Sequence, residues 1–227
     1  MQNDEVTRTD RIREMFDRIA SVYDSGNDFL SFGFARLWRR NAVGRMKTPG
    51  RVLDVACGTG DLAWAAACRF PDAEVVGIDF SKEMIARARV KYPLEFLVGD
   101  VQALPFASAA FDAVTVGFGF RNFQDKPKAL AELNRMLRNG GQLLILEASR
   151  PESISERLAY RFFRRTFVRL AVWISGHADA YAYLTDSMLE MPPAAVVHEM
   201  LDAAGFTNIQ RIRYGFGLCS LYIGEKA

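Results

Sequence analysis

The chain of 227 residues is half hydrophobic and one quarter charged, the balance of a globular fold with enough apolar residues for one full core. Its formal net charge of +2 excludes bulk attraction to nucleic acid, and no apolar run reaches the ~20 residues of a membrane span. Cys57, Cys68 and Cys219 show no metal-ligand spacing and the start Met1-Gln2-Asn3-Asp4-Glu5 is polar, so a reducing cytoplasmic setting is expected, with no metal site.

Residues 1–48 read as a helical cap rich in rings, among them Phe16, Tyr23, Phe34 and Trp38, suited to one wall of an apolar pocket. The first strand follows. Val52, Leu53 and Val55 form a short apolar run with Asp54 near its end, and Gly58-Thr59-Gly60 turns the chain into a helix beginning near Asp61. Glycine reaches backbone angles closed to other residues and lets a ligand touch the main chain. In a doubly wound sheet this first strand-to-helix turn is where a nucleotide-like ligand lies.

Two ligand classes fit the turn. Read as G-x-G-x-x-A, Gly58 to Ala63 matches a dinucleotide fingerprint, with Asp79 at the expected distance of ~20 residues. Read instead as an acid inside the strand followed by a glycine turn, the same stretch suits S-adenosylmethionine. A buried Asp54 serves an ammonium-bearing ligand, directly or through water, and repels a pyrophosphate. The methyl donor is therefore favoured.

The next strands carry the same signature. Glu74 to Asp79 is an apolar run closing on an acid, with Ser81 placed to cap the following helix. Leu94 to Val98 is a third, ending at Gly99-Asp100-Val101. Asp79 is positioned for two ribose hydroxyls, and Asp100 for the adenine amino group while a backbone amide meets a ring nitrogen. One acid at a strand end is commonly a helix cap; acids at three successive ends call for a ligand.

Phe111 to Gly117 reads as the fourth strand, Lys126 to Leu137 as an amphipathic helix ended by Asn139-Gly140-Gly141, and Gln142 to Leu146 as the fifth strand. From Glu156 to Ile174 a helical pattern sets Leu158, Phe162, Phe167 and Trp173 on one broad face and Arg157, Arg161, Arg164 and Arg165 on the other. That pattern fits a membrane surface with anionic lipid, a roof over the site, or an ordinary helix packed on the core. His177, in the loop that follows, is a candidate proton relay, and His198 is structural. A helix from Pro193 to Ala204 closes at Gly205, and Asn208 to Arg213 with Leu218 to Ile223 form an antiparallel pair. The expected fold is α/β: a Rossmann-like S-adenosylmethionine-dependent methyltransferase, with a mostly parallel seven-stranded sheet, an antiparallel terminal strand and a helical insertion. The whole of 1–227 is expected to be one domain, with 151–190 as the insertion over the acceptor site.

At this point the chain resembles the ubiquinone/menaquinone biosynthesis C-methyltransferases over nearly its whole length. The resemblance runs through M-F-D-R-I-A-S-V-Y-D (Met15 to Asp24), S-F-G-F-A-R-L-W-R-R (Ser31 to Arg40), D-V-A-C-G-T-G-D-L-A and G-D-V-Q-A-L-P-F (Gly99 to Phe106). Its most specific element is F-G-F-R-N-F-Q-D, Phe118 to Asp125, followed by Y-A-Y-L-T-D-S-M and D-A-A-G-F. It implies transfer of a methyl group to a ring carbon of a prenylated quinol, either demethylmenaquinol or 2-polyprenyl-6-methoxy-benzoquinol.

The resemblance also implies donor contacts at Thr59, Asp79, Asp100, Val101 and Gly117, where Gly117 replaces a serine found in some members. The glycine turn adds Asp54, Gly58 and Gly60. A hydroquinone carbon becomes nucleophilic when a ring hydroxyl loses its proton, so Arg121 is the candidate for stabilising the phenolate and Asn122 for holding the second ring oxygen. Phe118, Tyr23 and Tyr181 are expected to contact the substrate, with Asp125, Tyr23 and Tyr181 as weaker proton handlers. The implied partner is a lipophilic prenylated quinol, with peripheral contact at the inner face of the membrane, no nucleic acid, and a choice between monomer and homodimer left open. Three alternatives stand: a methyltransferase for another hydrophobic small molecule, a donor-binding protein without turnover, and a nicotinamide enzyme.

Overall fold

The structure, a computed structural model, describes residues 8–20, 33–163, 165 and 186–227; Tyr23, His177 and Tyr181 lie outside them. Short, mostly apolar runs form the parallel strands β1 (Arg51–Val55), β2 (Glu74–Asp79), β3 (Glu95–Val98) and β4 (Phe111–Gly117). The helices are α1 (Arg8–Ile19), α2 (Phe34–Val43), α3 (Asp61–Arg69), α4 (Lys82–Lys91), α5 (Lys126–Met136), α6 (Ile154–Phe163) and α7 (Ala194–Ala203). Strands β5 (Leu137–Ala148), β6 (Phe206–Tyr214) and β7 (Cys219–Lys226) complete the sheet.

The seven strands lie in the order β3-β2-β1-β4-β5-β7-β6. All pairings are parallel except those of β7, which is antiparallel to both β5 and β6. The chain winds outward from β1 to β3, then returns to lay β4 on the other side of β1. That reversal opens a crevice above the carboxyl ends of β1 and β4, the place where open α/β sheets bind ligands.

Alternation along the strands splits the core into two layers. Leu53 and Val55 of β1, with Val114 and Val116 of β4, pack against Leu130, Leu133 and Met136 of α5 and Leu201 of α7. Val52 and Ala113 face the opposite layer, built from Ala63 and Ala66 of α3, Ile85 of α4 and Val43 of α2. Asp54 and Thr115 share this second face, so a carboxylate enters the sheet next to a hydroxyl.

Two helix starts match the sequence. Ser81 caps α4 by accepting from the Met84 amide at 3.1 Å, and Asp125 caps α5 by accepting from that of Lys128 at 2.9 Å. The expected end of α5 is corrected. The helix stops at Met136, and Asn139-Gly140-Gly141 belongs to β5, which starts five residues earlier than the predicted Gln142. Leu137 already pairs with Phe111; the register then shifts before Ala113 pairs with Gln142, and Gly140 supplies the kink at a φ of 74°.

Candidate functional site

Above the carboxyl ends of β1, β2 and β4 lies an open cavity, at the place in an α/β sheet that small-molecule sites favour. Four turns build its walls. The turn after β1 gives Ala56 and Gly58; β2 ends in Asp79 and Phe80; β3 leads into Asp100, Val101 and Gln102. The segment after β4 supplies Gly117, Phe118 and Gly119, then Asn122, Phe123 and Gln124. Phe16 of α1 and Met84 of α4 close the side.

The backbone is strained on two of these turns. Ala56 and Phe118, at the ends of the neighbouring strands β1 and β4, hold positive φ values of 53° and 59°. Such conformations cost on the order of 1–3 kcal/mol each and persist only where the surroundings dictate them. One constraint is visible: a Cβ on Gly119 would stand 2.6 Å from that of Ala56, so only glycine fits between the two turns. The Arg39 guanidinium, itself paired with Asp61 at 2.9 Å, lies over the Phe118 ring.

Asp79 organises the floor. One carboxylate oxygen accepts from the Gly58 amide at 2.8 Å and the other from that of Ser81 at 2.9 Å. Each oxygen keeps a lone pair for a further donor. Burial pushes the Asp79 carboxyl up to about 6, against the pull of these amides. Asp100 is exposed on the rim and accepts from the Gln102 amide at 2.9 Å.

Asp54 does not reach the cavity wall. It is fully buried, and its two oxygens accept from the Thr115 hydroxyl at 2.7 Å and the Ala63 amide at 3.0 Å. Desolvation raises its carboxyl to about 7. It fastens β1 to β4 and to the first turn of α3. Thr59 is buried behind the turn as well. Gly60 begins α3 at a φ of 86°, where a Cβ would strike the Phe96 ring at 2.6 Å. The cavity therefore unites Gly58, Asp79, Asp100, Val101 and Gly117, while Asp54, Thr59 and Gly60 support the turn from behind.

The Arg-Asn pair divides in the same way. Asn122 lines the cavity, and so does the Phe118 backbone; Arg121 turns into the protein, with 5 % exposure. Its guanidinium donates to the Phe118 carbonyl at 2.6 Å, to Glu147 at 2.5 Å and to the Ser187 hydroxyl at 3.1 Å. Asp125 is occupied as the cap of α5.

Several residues beside the cavity were not singled out from sequence. Glu147 closes the fifth strand with an acid, the same signal as Asp79, inside the run L-L-I-L-E. Phe16, one of the rings expected to wall a pocket, reaches the cavity because α1 docks on α4, where Asp17 accepts from the Ser81 hydroxyl at 2.5 Å. On α6, Ile154, Leu158 and Phe162 are exposed at 78 %, 58 % and 66 %, while Glu156 and Tyr160 of the same helix are buried. No helix among the described residues is long and apolar enough to cross a membrane.

Comparison with known proteins gives a consistent result. Residues 4–226 match the sequence profile of the ubiE/COQ5 methyltransferase family. The demethylmenaquinone methyltransferase of Thermus thermophilus is 45% identical over 223 residues, covering 93% of this chain and 100% of that protein. The ubiquinone/menaquinone biosynthesis C-methyltransferase UbiE of Geotalea uraniireducens is 37% identical, covering 96% and 97%. Among solved structures, a Thermotoga maritima SAM-dependent methyltransferase, a possible histamine N-methyltransferase, superposes with a TM-score of 0.68 at 21% identity over 94% of this chain and 99% of that one. Human N-acetylserotonin methyltransferase in complex with SAM gives 0.61 at 16% identity, over 91% and 58%. These two structures speak to the fold alone, which is that of SAM-dependent methyltransferases.

Proposed function

The chain belongs to the ubiE/COQ5 methyltransferase family, and from that premise we propose that it methylates a ring carbon of a prenylated quinol, with demethylmenaquinol as the acceptor. S-adenosylmethionine is the methyl donor. The observation that carries the reading is one cavity, in a chain of this family, that unites two strand-end carboxylates with the asparagine of the Arg-Asn pair.

The residues fit the donor. Asp79 keeps acceptor capacity for the two ribose hydroxyls, Asp100 is exposed for the adenine amino group, and Ile78, Val101 and Phe123 offer apolar surface for the ring. Gly58 and Gly117 bring main chain to the cavity wall, and Asp54, Thr59 and Gly60 fix the turn from beneath. When bound, the donor supplies an electrophilic methyl on a sulfonium. What this chain would contribute is geometry: Asn122 and Phe118 would orient the acceptor ring toward the donor held by Asp79 and Asp100, and such orientation can supply a substantial part of the barrier. Asn122 holds a ring oxygen of the quinol, and Phe118 packs against its ring. Tyr23 and Tyr181 complete the expected acceptor contacts.

A prenylated acceptor resides in the bilayer, and α6 supports peripheral contact there. Its exposed Ile154, Leu158 and Phe162 lie beside Arg157, Arg161 and Arg165, a pairing of apolar surface and positive charge that suits anionic lipid.

The test uses labelled S-adenosylmethionine with chemically reduced demethylmenaquinol or 2-polyprenyl-6-methoxy-benzoquinol, and reads which ring atom carries the label. Label on carbon of the naphthoquinol is expected. Intact donor binding with no transfer to either quinol would move the acceptor to another lipophilic class.

A further inference from the structure

We propose that Glu147 is a positioning residue for methyl transfer, acting with Arg121 to hold residues 118–124 in the shape that presents Phe118 and Asn122 to the acceptor. The proposal rests on the quinol reading above for its acceptor, though not for its geometry.

Glu147 sits at the carboxyl end of β5 with no exposure. One of its oxygens accepts from the Arg121 guanidinium at 2.5 Å and from the Ala148 amide at 2.8 Å; the other accepts from the Arg121 backbone amide at 3.1 Å. That amide belongs to the 3-10 turn Phe120–Asn122, so the carboxylate anchors the turn at its start. At the far end Lys126 donates to the Arg121 and Phe123 carbonyls at 3.1 and 3.0 Å. The turn is gripped from both sides.

The guanidinium completes the grip. It donates to the carbonyl of Phe118, whose own amide donates to Leu146 at 2.7 Å, so both peptide groups of this left-handed residue are held. Without those bonds, nothing in local preference keeps a phenylalanine at a positive φ. Arg121 also reaches Ser187, which joins the stretch leading to α7 to the same cluster. Among the groups that Glu147 and Arg121 hold, the Phe118 carbonyl is in the cavity wall and the Arg121 amide is one residue from Asn122, which lines it.

A fully buried ion pair is a poor stabiliser, because desolvation offsets most of its attraction and apolar residues of equal volume serve as well. Its worth here is the conformation it enforces. Arg121 accordingly works on the acceptor through the loop, not by direct contact with the phenolate.

The experiment compares Glu147→Gln, Arg121→Lys and the double Arg121→Met/Glu147→Gln with the wild type. Each single substitution should lower kcat by about 10²-fold, the scale of an ångström's misplacement, without changing the donor dissociation constant. The pH at which kcat rises should stay put, and amide exchange over 118–124 should quicken. The double variant should recover the Tm lost by Glu147→Gln, since no unpaired buried charge remains, while its kcat stays low.

Unchanged kcat in Glu147→Gln would overturn the proposal, as would a double variant that recovers both Tm and kcat. An alkaline shift of the pH profile confined to Arg121→Lys would do so too, placing the guanidinium on the phenolate itself. Should the wild type methylate neither quinol, the exchange and donor-binding readouts still decide the matter: unaltered exchange over 118–124 in Glu147→Gln sinks it.

Discussion

Two buried carboxylates, Asp54 and Asp79, make opposite uses of the same desolvation. Both are raised from a usual value near 3.8, to about 7 and about 6, because burial disfavours the charged form. A raised carboxyl means that the folded chain holds its proton more tightly than the unfolded one. The stability each contributes is therefore complete below the ordinary carboxylate value and is lost as pH climbs through 6 and 7. Asp54→Asn keeps an acceptor for the Ala63 amide and offers a donor to Thr115. Its unfolding free energy in urea should decline less than the wild type's between pH 5 and 8, and parallel curves would refute the assignment. Asp79 must ionise to accept two ribose hydroxyls. Donor affinity should tighten as pH rises through about 6 and then level off, and Asp79→Ala should weaken it at every pH, as calorimetry would show. A pH-independent dissociation constant in the wild type would detach Asp79 from the donor.

Helices and strands were legible in proportion to how local their causes are. Each β1–β4 boundary is written by an apolar run meeting an acid or a glycine, and each was located to within a residue or so. The start of β5 was not, because its first pairing, Leu137 with Phe111, follows from a partner strand and a register shift. The strand-end acids were legible as a class, yet the hydrogen bond of Asp54 with Thr115, 61 residues away, has no local signal in the sequence. Nothing in the α1 sequence announces its docking on α4. The Ser81 hydroxyl accepts from the Met84 amide and donates to Asp17, so Ser81→Ala removes a helix cap and that tether together. It should cost about 1 kcal/mol for the cap, plus a loss of donor affinity through the displaced Phe16. A stability loss with unchanged donor binding would separate α1 from the site. On α6, Leu158→Glu should reduce co-sedimentation with vesicles of anionic lipid and leave binding to donor alone intact; equal sedimentation of both proteins would leave the stripe without a membrane role.

At the scale of the whole molecule, the alternation of strand and helix foretold a parallel sheet, and the two closing strands foretold its antiparallel member. The acceptor was legible only through resemblance, because methyltransferases of one fold differ in the walls above the sheet and not in the sheet. Position in the sheet also sets local stability. β1, β4 and β5 are flanked by strands and covered on both faces, whereas β3 is a four-residue edge. Native-state amide exchange should be slowest in β1, β4 and β5 and fastest in β3, with the turn at Ala56 intermediate. Uniform protection across the sheet would contradict that ranking.

The placement of β7 between β5 and β6 has a consequence for how the sheet comes to exist. β6 precedes β7 in the chain yet touches no other strand, so it has no ladder to join when it emerges. β5, whose Gln142 will pair with Glu225, waits across more than half of the remaining sequence. One strand thus arrives as a wedge that satisfies two others in a single event, and pairings of such long sequence separation are slow to form. Until that moment the nascent sheet ends at a bare β5, the strand that carries Glu147. A chain stalled short of β7 therefore presents an open edge at β5 to its neighbours.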